Sequence, residues 1–280
     1  MNATKFFILL IASSGWAADK SQYHLFNPTP RELMREMSTD RPDKTESAYT
    51  VDAGHYQIEM DIVSWSVDHY NAIPGDHRSE AVAIAPMNLK AGLLNNVDLQ
   101  LVIQPYISLR EHNVAAGQVE ENRGFGDVIP RLKVNLWGND GGATALSVMP
   151  YIKLPTNTDH VGNNSVEGGL MVPFALSLPQ EVNLGLMTQL DIVRDESGDG
   201  HHPEFVNTIT ISRGIVGELS GFVEFFSSVS TESGSEWVGT FDAGLTYMLT
   251  DDIQLDAGVY VGLTRAADDI NPFLGISWRF

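Results

Sequence analysis

The sequence predicts a transmembrane antiparallel up-and-down β-barrel of about 12 strands with a short amino-terminal periplasmic or plug segment. Three observations carry this: an apolar leader, period-two alternation from about Thr50 to the last residue, and connections that alternate between short turns and longer polar loops. Composition excludes the main competitors. The 280 residues hold 36 acidic and 17 basic side chains, a formal charge of −19, which argues against nucleic-acid binding. With no cysteine there are no disulfides, thiolate metal sites or cysteine nucleophiles. Mean hydropathy of −0.08 rules out a polytopic helical membrane protein, but not a barrel, whose strands average to neutral.

Residues 1–17 read as a secretory signal peptide. Lys5 is followed by an apolar run from Phe6 to Ala12, then small residues suited to a cut after Ala17. Residues 18–48 form a polar segment. Within it Thr29 and Pro30 could cap a short helix whose Leu33, Met34 and Met37 make a narrow apolar stripe. Residues 49–280 are the barrel. Its first run sets Tyr56, Ile58, Met60 and Ile62 against His55, Gln57, Glu59 and Asp61. Further runs are a less regular one from Glu80 to Leu93, then Val97 to Ile107, Val128 to Trp137, Ala143 to Pro155, Val166 to Leu178 and Val182 to Arg194. The last five are Glu204 to Arg213, Leu219 to Val229, Trp237 to Thr250, Ile253 to Leu263 and Asn271 to Phe280. Short turns fall at Asn95–Asn96, Gly138 to Gly142, Pro179 to Glu181, Gly214 to Glu218 and Asp251–Asp252. Longer connections fall at Ser66 to Ser79, Glu111 to Arg123, Thr156 to Ser165, Asp195 to Pro203, Ser230 to Glu236 and Thr264 to Ile270. This sorting matches periplasmic turns and extracellular loops, and places the protein in the outer membrane of a Gram-negative cell. Trp65, Trp137, Trp237 and Trp278 lie at or near strand ends, where aromatic girdles sit.

The terminal strand carries Leu274, Ile276, Trp278 and Phe280 at alternate positions. This pattern resembles the assembly signal read by the barrel-assembly machinery, with Phe273 where a polar residue is common. The stretch Asp40-Arg41-Pro42-Asp43-Lys44-Thr45-Glu46-Ser47, with Gly54, Asn88-Leu89-Lys90, Gly92 and Gly124-Phe125-Gly126-Asp127, resembles the MetA-pathway-of-phenol-degradation family of outer-membrane transporters. That family is related to barrels that secrete amyloid subunits. The resemblance implies a 12-stranded barrel conducting small molecules or an extended chain, with the amino-terminal segment as a plug built on Asp40, Arg41, Pro42, Asp43, Thr45 and Glu46.

If the apolar face meets lipid, the other face lines the lumen. Its charged members are Glu59, Asp61, Asp98, Arg131, Lys133, Lys153, Glu167, Asp191, Glu224, Asp242, Asp256 and Arg279. Two interiors fit this set: a mildly cation-favouring pore with Arg131 and Lys133 opposing carboxylates, or a salt-bridged interior that conducts little. The acidic and histidine-bearing loop of Asp195, Glu196, Asp199, His201, His202 and Glu204 reads as a solvated loop, and no metal or cofactor is assigned. Rim pairs Asp68-His69, Asp76-His77 and Asp159-His160 are raw material for a barrel protease, but His55 is the strand-interior histidine this reading finds, so no enzyme is expected. The expected function is facilitated diffusion of small solutes, aromatic or apolar ones among them, through a charge-lined lumen. The alternatives are a secretion pore for an unstructured amyloid-like polypeptide and a non-conducting structural barrel. The expected partners are the lipid bilayer, the assembly machinery and a small-molecule solute, with a homo-oligomer left open.

Overall fold

The computed structural model describes residues 19–69, 77–114, 116–198 and 200–280. Fifteen strands are described: β1 (Tyr56–Asp68), β2 (His77–Ile84), β3 (Met87–Leu94), β4 (Val97–Ile103), β5 (Tyr106–Asn113), β6 (Gln118–Gly124), β7 (Ile129–Trp137) and β8 (Thr144–Lys153). They continue with β9 (Glu167–Leu178), β10 (Val182–Arg194), β11 (His201–Val216), β12 (Leu219–Ser230), β13 (Val238–Thr250), β14 (Ile253–Gly262) and β15 (Ile270–Arg279). Twelve of them, β1, β3, β4 and β7 to β15, pair antiparallel into a ring that closes where β15 meets β1. At the seam Gln57 faces Arg279, and Tyr56 and Phe280 exchange backbone hydrogen bonds at 3.0 and 2.9 Å. Closure removes every edge from the ring, which a membrane requires because lipid offers no hydrogen bonds to a free strand.

The remaining strands are upward continuations of three crossings. β2 continues β3 along the upper half of β1, β5 continues β4, and β6 precedes β7. The interruptions line up across the wall: Ala85–Pro86 with Ala85 at φ 56°, then Gln104–Pro105, then residues 125–128, beside a register shift between Asp61 and Val63 in β1. A proline supplies no ladder donor, so the wall bends there. Among the described residues β6 pairs with β5 alone, and its lower end is met by the β8–β9 connection, where Thr158 N–H donates to the Phe125 carbonyl at 2.9 Å.

Side-chain distribution is the inverse of a water-soluble protein. Leu99, Leu101, Leu132 and Leu136 are exposed on the outside, while Asp98, Gln100, Lys133 and Asn135 between them are buried, Lys133 completely. Such burial is tolerable only if the outer face meets hydrocarbon and the inner face finds polar partners. Trp65, Trp137, Trp237 and Trp278 all lie on the exposed outer surface, as the girdle reading expects. Leu274, Trp278 and Phe280 are exposed along β15, and Phe273 points inward, packed on Tyr260 with ring centroids 4.7 Å apart.

The structure corrects several expectations. The connection expected from Glu111 to Arg123 is largely strand, because β5 and β6 form a hairpin above the bend. β11 runs to Val216, so the turn expected from Gly214 shrinks to residues 217–218. The barrel begins at Tyr56 rather than residue 49, because residues 49–55 belong to the segment inside the ring. The short helix is a single 3-10 turn at Arg31–Leu33, too short to bury its stripe. Residues 1–17, expected to be a signal peptide, lie outside the described residues.

Candidate functional site in the barrel lumen

Residues 31–54 enter the ring from the end carrying the short turns, reach the middle with residues 40–46, and return to β1. The return is made at Gly54, whose φ of +76° suits glycine and whose Cβ would lie 2.5 Å from Pro28. Close approach to the wall depends on missing side chains. A Cβ on Gly92 would lie 2.0 Å from the Asp52 carbonyl oxygen, and one on Gly275 would lie 1.9 Å from the Arg41 guanidinium.

At the turn end, Arg35 donates to Asn95 (2.9 Å), Asp140 (3.0 Å) and the Thr50 carbonyl (3.1 Å). Lys20 pairs with Asp140 at 2.8 Å, Arg31 with Asp252, and Arg279 with Asp252 at 2.9 Å and the Arg35 carbonyl at 2.8 Å. Both turn carboxyls are held below the usual carboxylate range. Burial pushes them up, but Lys20, Asn95 and Arg35 at Asp140, and Arg31 and Arg279 at Asp252, outweigh it.

Deeper in, Asp40 receives the ammonium groups of Lys90 and Lys133. Its N–H donates to Glu59 at 2.9 Å, and Gln100 donates to it at 3.2 Å. Asp98 accepts the Val51 N–H at 2.9 Å. Arg41 holds Asp256 in bidentate fashion (2.9 and 2.7 Å) and Asp61 at 2.6 Å. Pro42 gives its carbonyl to Tyr260 at 2.7 Å, Asp43 is hydrogen-bonded by Thr210, and Thr45 meets Thr208 at 2.6 Å and also Glu224. Glu46 pairs with Arg131 at 2.6 Å. One short segment thus meets strands on nearly every side of the ring.

The sequence-predicted residues therefore meet one another, with a changed pairing. Arg131 and Lys133 do not oppose wall carboxylates across an open lumen; they are taken by Glu46 and Asp40 of the inserted segment. Lys153 pairs with Glu167 (2.6 Å) and Asp127 (3.5 Å) near the far end, and Asp191 accepts from Tyr151 and from Gln189 at 2.7 and 2.8 Å. Glu59, Asp61, Asp98, Glu224, Asp242, Asp256 and Arg279 all contact the inserted segment. Lys20, Arg35, Asp52 and Tyr260 carry no signal in the sequence, and Lys44 and Lys90 stand in the family-like stretches with no role assigned. Lys90 was within reach, because a hairpin turning at Asn95–Asn96 sets it opposite Gln100 on the inward face. The others depend on where the segment lies, which alternation does not encode.

Residues 44–48 at and after the tip meet β8, β11, β12 and β13, and the rest of the segment lies against β14, β15, β1, β3, β4 and β7. Three cavities of about 440, 420 and 660 Å³ share Glu36 and Met37 in their linings; the second is walled by β9 to β13 with Gln254 of β14, the first reaches Asp251 and Arg279, and the third reaches the β7–β8 turn. Met34, Met37, Met248 and Phe222 give their walls an apolar share beside Asn183, Thr210 and Gln254.

At the loop end Asp195, His202 and Glu232 come together, with His202 Nδ1 2.8 Å from Asp195 and 3.7 Å from Glu232. His201 instead meets Ser165 at 3.1 Å, Glu204 bonds Ser228, and Asp199 lies outside the described residues. His55 precedes β1 rather than lying within it, with its Nε2 2.7 Å from the Thr29 carbonyl, while His112, His201 and His202 do lie in strands. His69 is engaged by Asp269 (3.7 Å), and Asp159 and His160 sit in a turn with positive φ. Asp76 lies outside the described residues.

No curated protein is similar enough to the chain to count as a relative. Among solved structures, the COG4313 outer membrane channel from Pseudomonas putida F1 superposes with a TM-score of 0.64 at 12% identity, covering 87% of this chain and 100% of that one. The transport unit of the autotransporter AIDA-I from Escherichia coli gives 0.53 at 14% identity, covering 87% and 93%. The NanC porin gives 0.50 at 11% identity, covering 79% and 98%. At these identities the likeness is one of fold, that of outer-membrane barrels. The family model described as "Putative MetA-pathway of phenol degradation" matches residues 39–280, from the inserted motif to the terminal phenylalanine, and the chain belongs to that family.

Proposed function

We propose that this protein is an outer-membrane channel passing small solutes by diffusion along the β9–β13 side of its lumen, narrowed by residues 31–54 acting as a plug. The observation that carries this is the asymmetry of the interior: most ion pairs of the inserted segment lie on one side, while cavities with mixed apolar and polar walls remain on the other. The similarity to a barrel described as an outer membrane channel, and membership of a family named for phenol degradation, favour small solutes, aromatic ones among them. No reaction is assigned to the chain. In this reading Leu274, Ile276, Trp278 and Phe280 present the outward ridge used by the barrel-assembly machinery.

Conduction past the plug is tested by planar-bilayer recording of the refolded mature chain beside a deletion of Ser21 to Ala48. The expected result is discrete conductance in the full chain and a several-fold rise in the deletion. A folded, heat-modifiable barrel that conducts in neither form would remove the channel reading. Equal conductance in both would remove the plug.

A further inference from the structure

Inside the ring, Lys44 occupies a small site of unusual composition. Its ammonium lies 4.5 Å from the centre of the Phe226 ring and 4.3 Å from that of Tyr260, 3.3 Å from Asp242 and 2.9 Å from the Thr240 hydroxyl. Two aromatic faces and a carboxylate are the surroundings that recognise an alkylammonium group, since the ring quadrupole attracts a cation that sheds part of its water. A bare metal ion would want oxygen ligands on most sides, which this site does not offer.

The site holds more carboxyl groups than the single ammonium of Lys44 can pair with. Asp242 is completely buried, and neither of its oxygens has a hydrogen bond among the described residues. Glu224 stands directly opposite it on the neighbouring strand, its oxygens accepting from the Lys44 N–H at 2.7 Å and from the Thr45 hydroxyl. Asp43 is adjacent in the chain. The Lys44 side chain keeps 26% of its surface exposed, so the site opens to the lumen. Phe273, tilted at 42° against Tyr260, adds a further ring behind it, with the Arg41 guanidinium 5.9 Å from the Phe273 centroid.

We infer that this cage of Phe226, Tyr260, Asp242 and Glu224 is a binding site for organic ammonium solutes, arylalkylamines in particular, with Lys44 as a tethered occupant that such a solute displaces. The inference rests on the channel reading and gives it a substrate class. Because residues 43–46 span the lumen to Thr208, Thr210 and Arg131, displacement of Lys44 would also loosen the inserted segment there.

The test is isothermal titration calorimetry of the refolded full chain in detergent at pH 8, with phenethylammonium chloride as probe and potassium phenylacetate as the anion with the same ring. Saturable one-site binding of the ammonium is expected, with none of the anion. Asp242→Asn should weaken it at least tenfold, and Lys44→Met, which removes the competitor, should tighten it. If Asp242→Asn does not fold, Phe226→Leu tests the aromatic wall and should also weaken binding. No saturable binding in either wild type or Lys44→Met overturns the proposal, as does calcium chloride binding at the same site as tightly as the ammonium. The same titration in planar bilayers separates the two claims. Binding without conductance keeps the site and removes the channel; conductance without binding keeps the channel and removes the site.

Discussion

The two sides of the lumen are built from the same alternating strands and behave differently. Along β14, β15, β1, β3, β4 and β7 the inserted segment is held by charge pairs sealed from water: Asp40 with Lys90 and Lys133, and Arg41 with Asp256. Along β9 to β13 it touches the wall mainly at its tip, through Lys44 and Thr45, and leaves space elsewhere. The contrast lies in what the wall offers. Lys90 and Lys133 with Gly92 and Gly275 give one side charge and room for a close backbone approach. Gly185, Asn183, Thr210 and Ser212 give the other small neutral surfaces around the cavity, and its buried carboxyl groups Glu224 and Asp242 meet only the tip of the segment.

The comparison can be broken at its strongest point by removing the segment, and deletion of Ser21 to Ala48 should produce the largest effect, a several-fold rise in single-channel conductance. Next in size is Asp40→Ala. It leaves Lys90 and Lys133 buried beside a missing partner and should cost about 3–5 kcal/mol, read as a lower unfolding temperature on heat-modifiable gels. Asn183→Ala on the open side should stay within about 0.5 kcal/mol of wild type in the same assay. Gly92→Ala drives a methyl into the Asp52 backbone and should cost about 1–3 kcal/mol while loosening residues 51–54 to proteolysis.

The smallest effect sharpens the comparison with pH. Asp140 and Asp252 anchor the packed side at the turn end with carboxyls below the usual value, so their stabilisation is complete above about pH 4 and is lost as pH falls through their lowered values. Conductance should therefore rise on acidification below about pH 4, and Asp252→Asn should flatten that rise.

The ring was legible because period two fixes which face each residue takes. Alternation placed Asp98, Lys133, Asp242 and Asp256 inside, and the turns at Asn95–Asn96 and Asp251–Asp252 fixed their neighbours. Alternation gave no access to the partner of each inward charge, because most partners lie on an irregular segment. Arg131 and Lys133 illustrate this: their inward direction followed from parity, but their ion pairs with Glu46 and Asp40 depend on a path through the lumen with no period at all. The hairpin β5–β6 was hidden for a different reason. Glu111, Glu120, Glu121 and Arg123 are charged on both faces, as a strand above the membrane can afford to be, and such a stretch reads as a loop. Lys44 stood in the family-like stretch without a role because its cation–π surroundings assemble from two different strands, Phe226 on β12 and Tyr260 on β14.

The central claim is that solute moves along the β9–β13 side and not through the packed side. Covalent modification during single-channel recording tests it most directly, since the chain has no cysteine of its own. A methanethiosulfonate reagent should reduce conductance stepwise in Asn183→Cys, which lines two of the cavities, and leave Gln100→Cys, sealed beneath the inserted segment, unaffected. Reaction and block at position 100, with position 183 silent, would contradict the account.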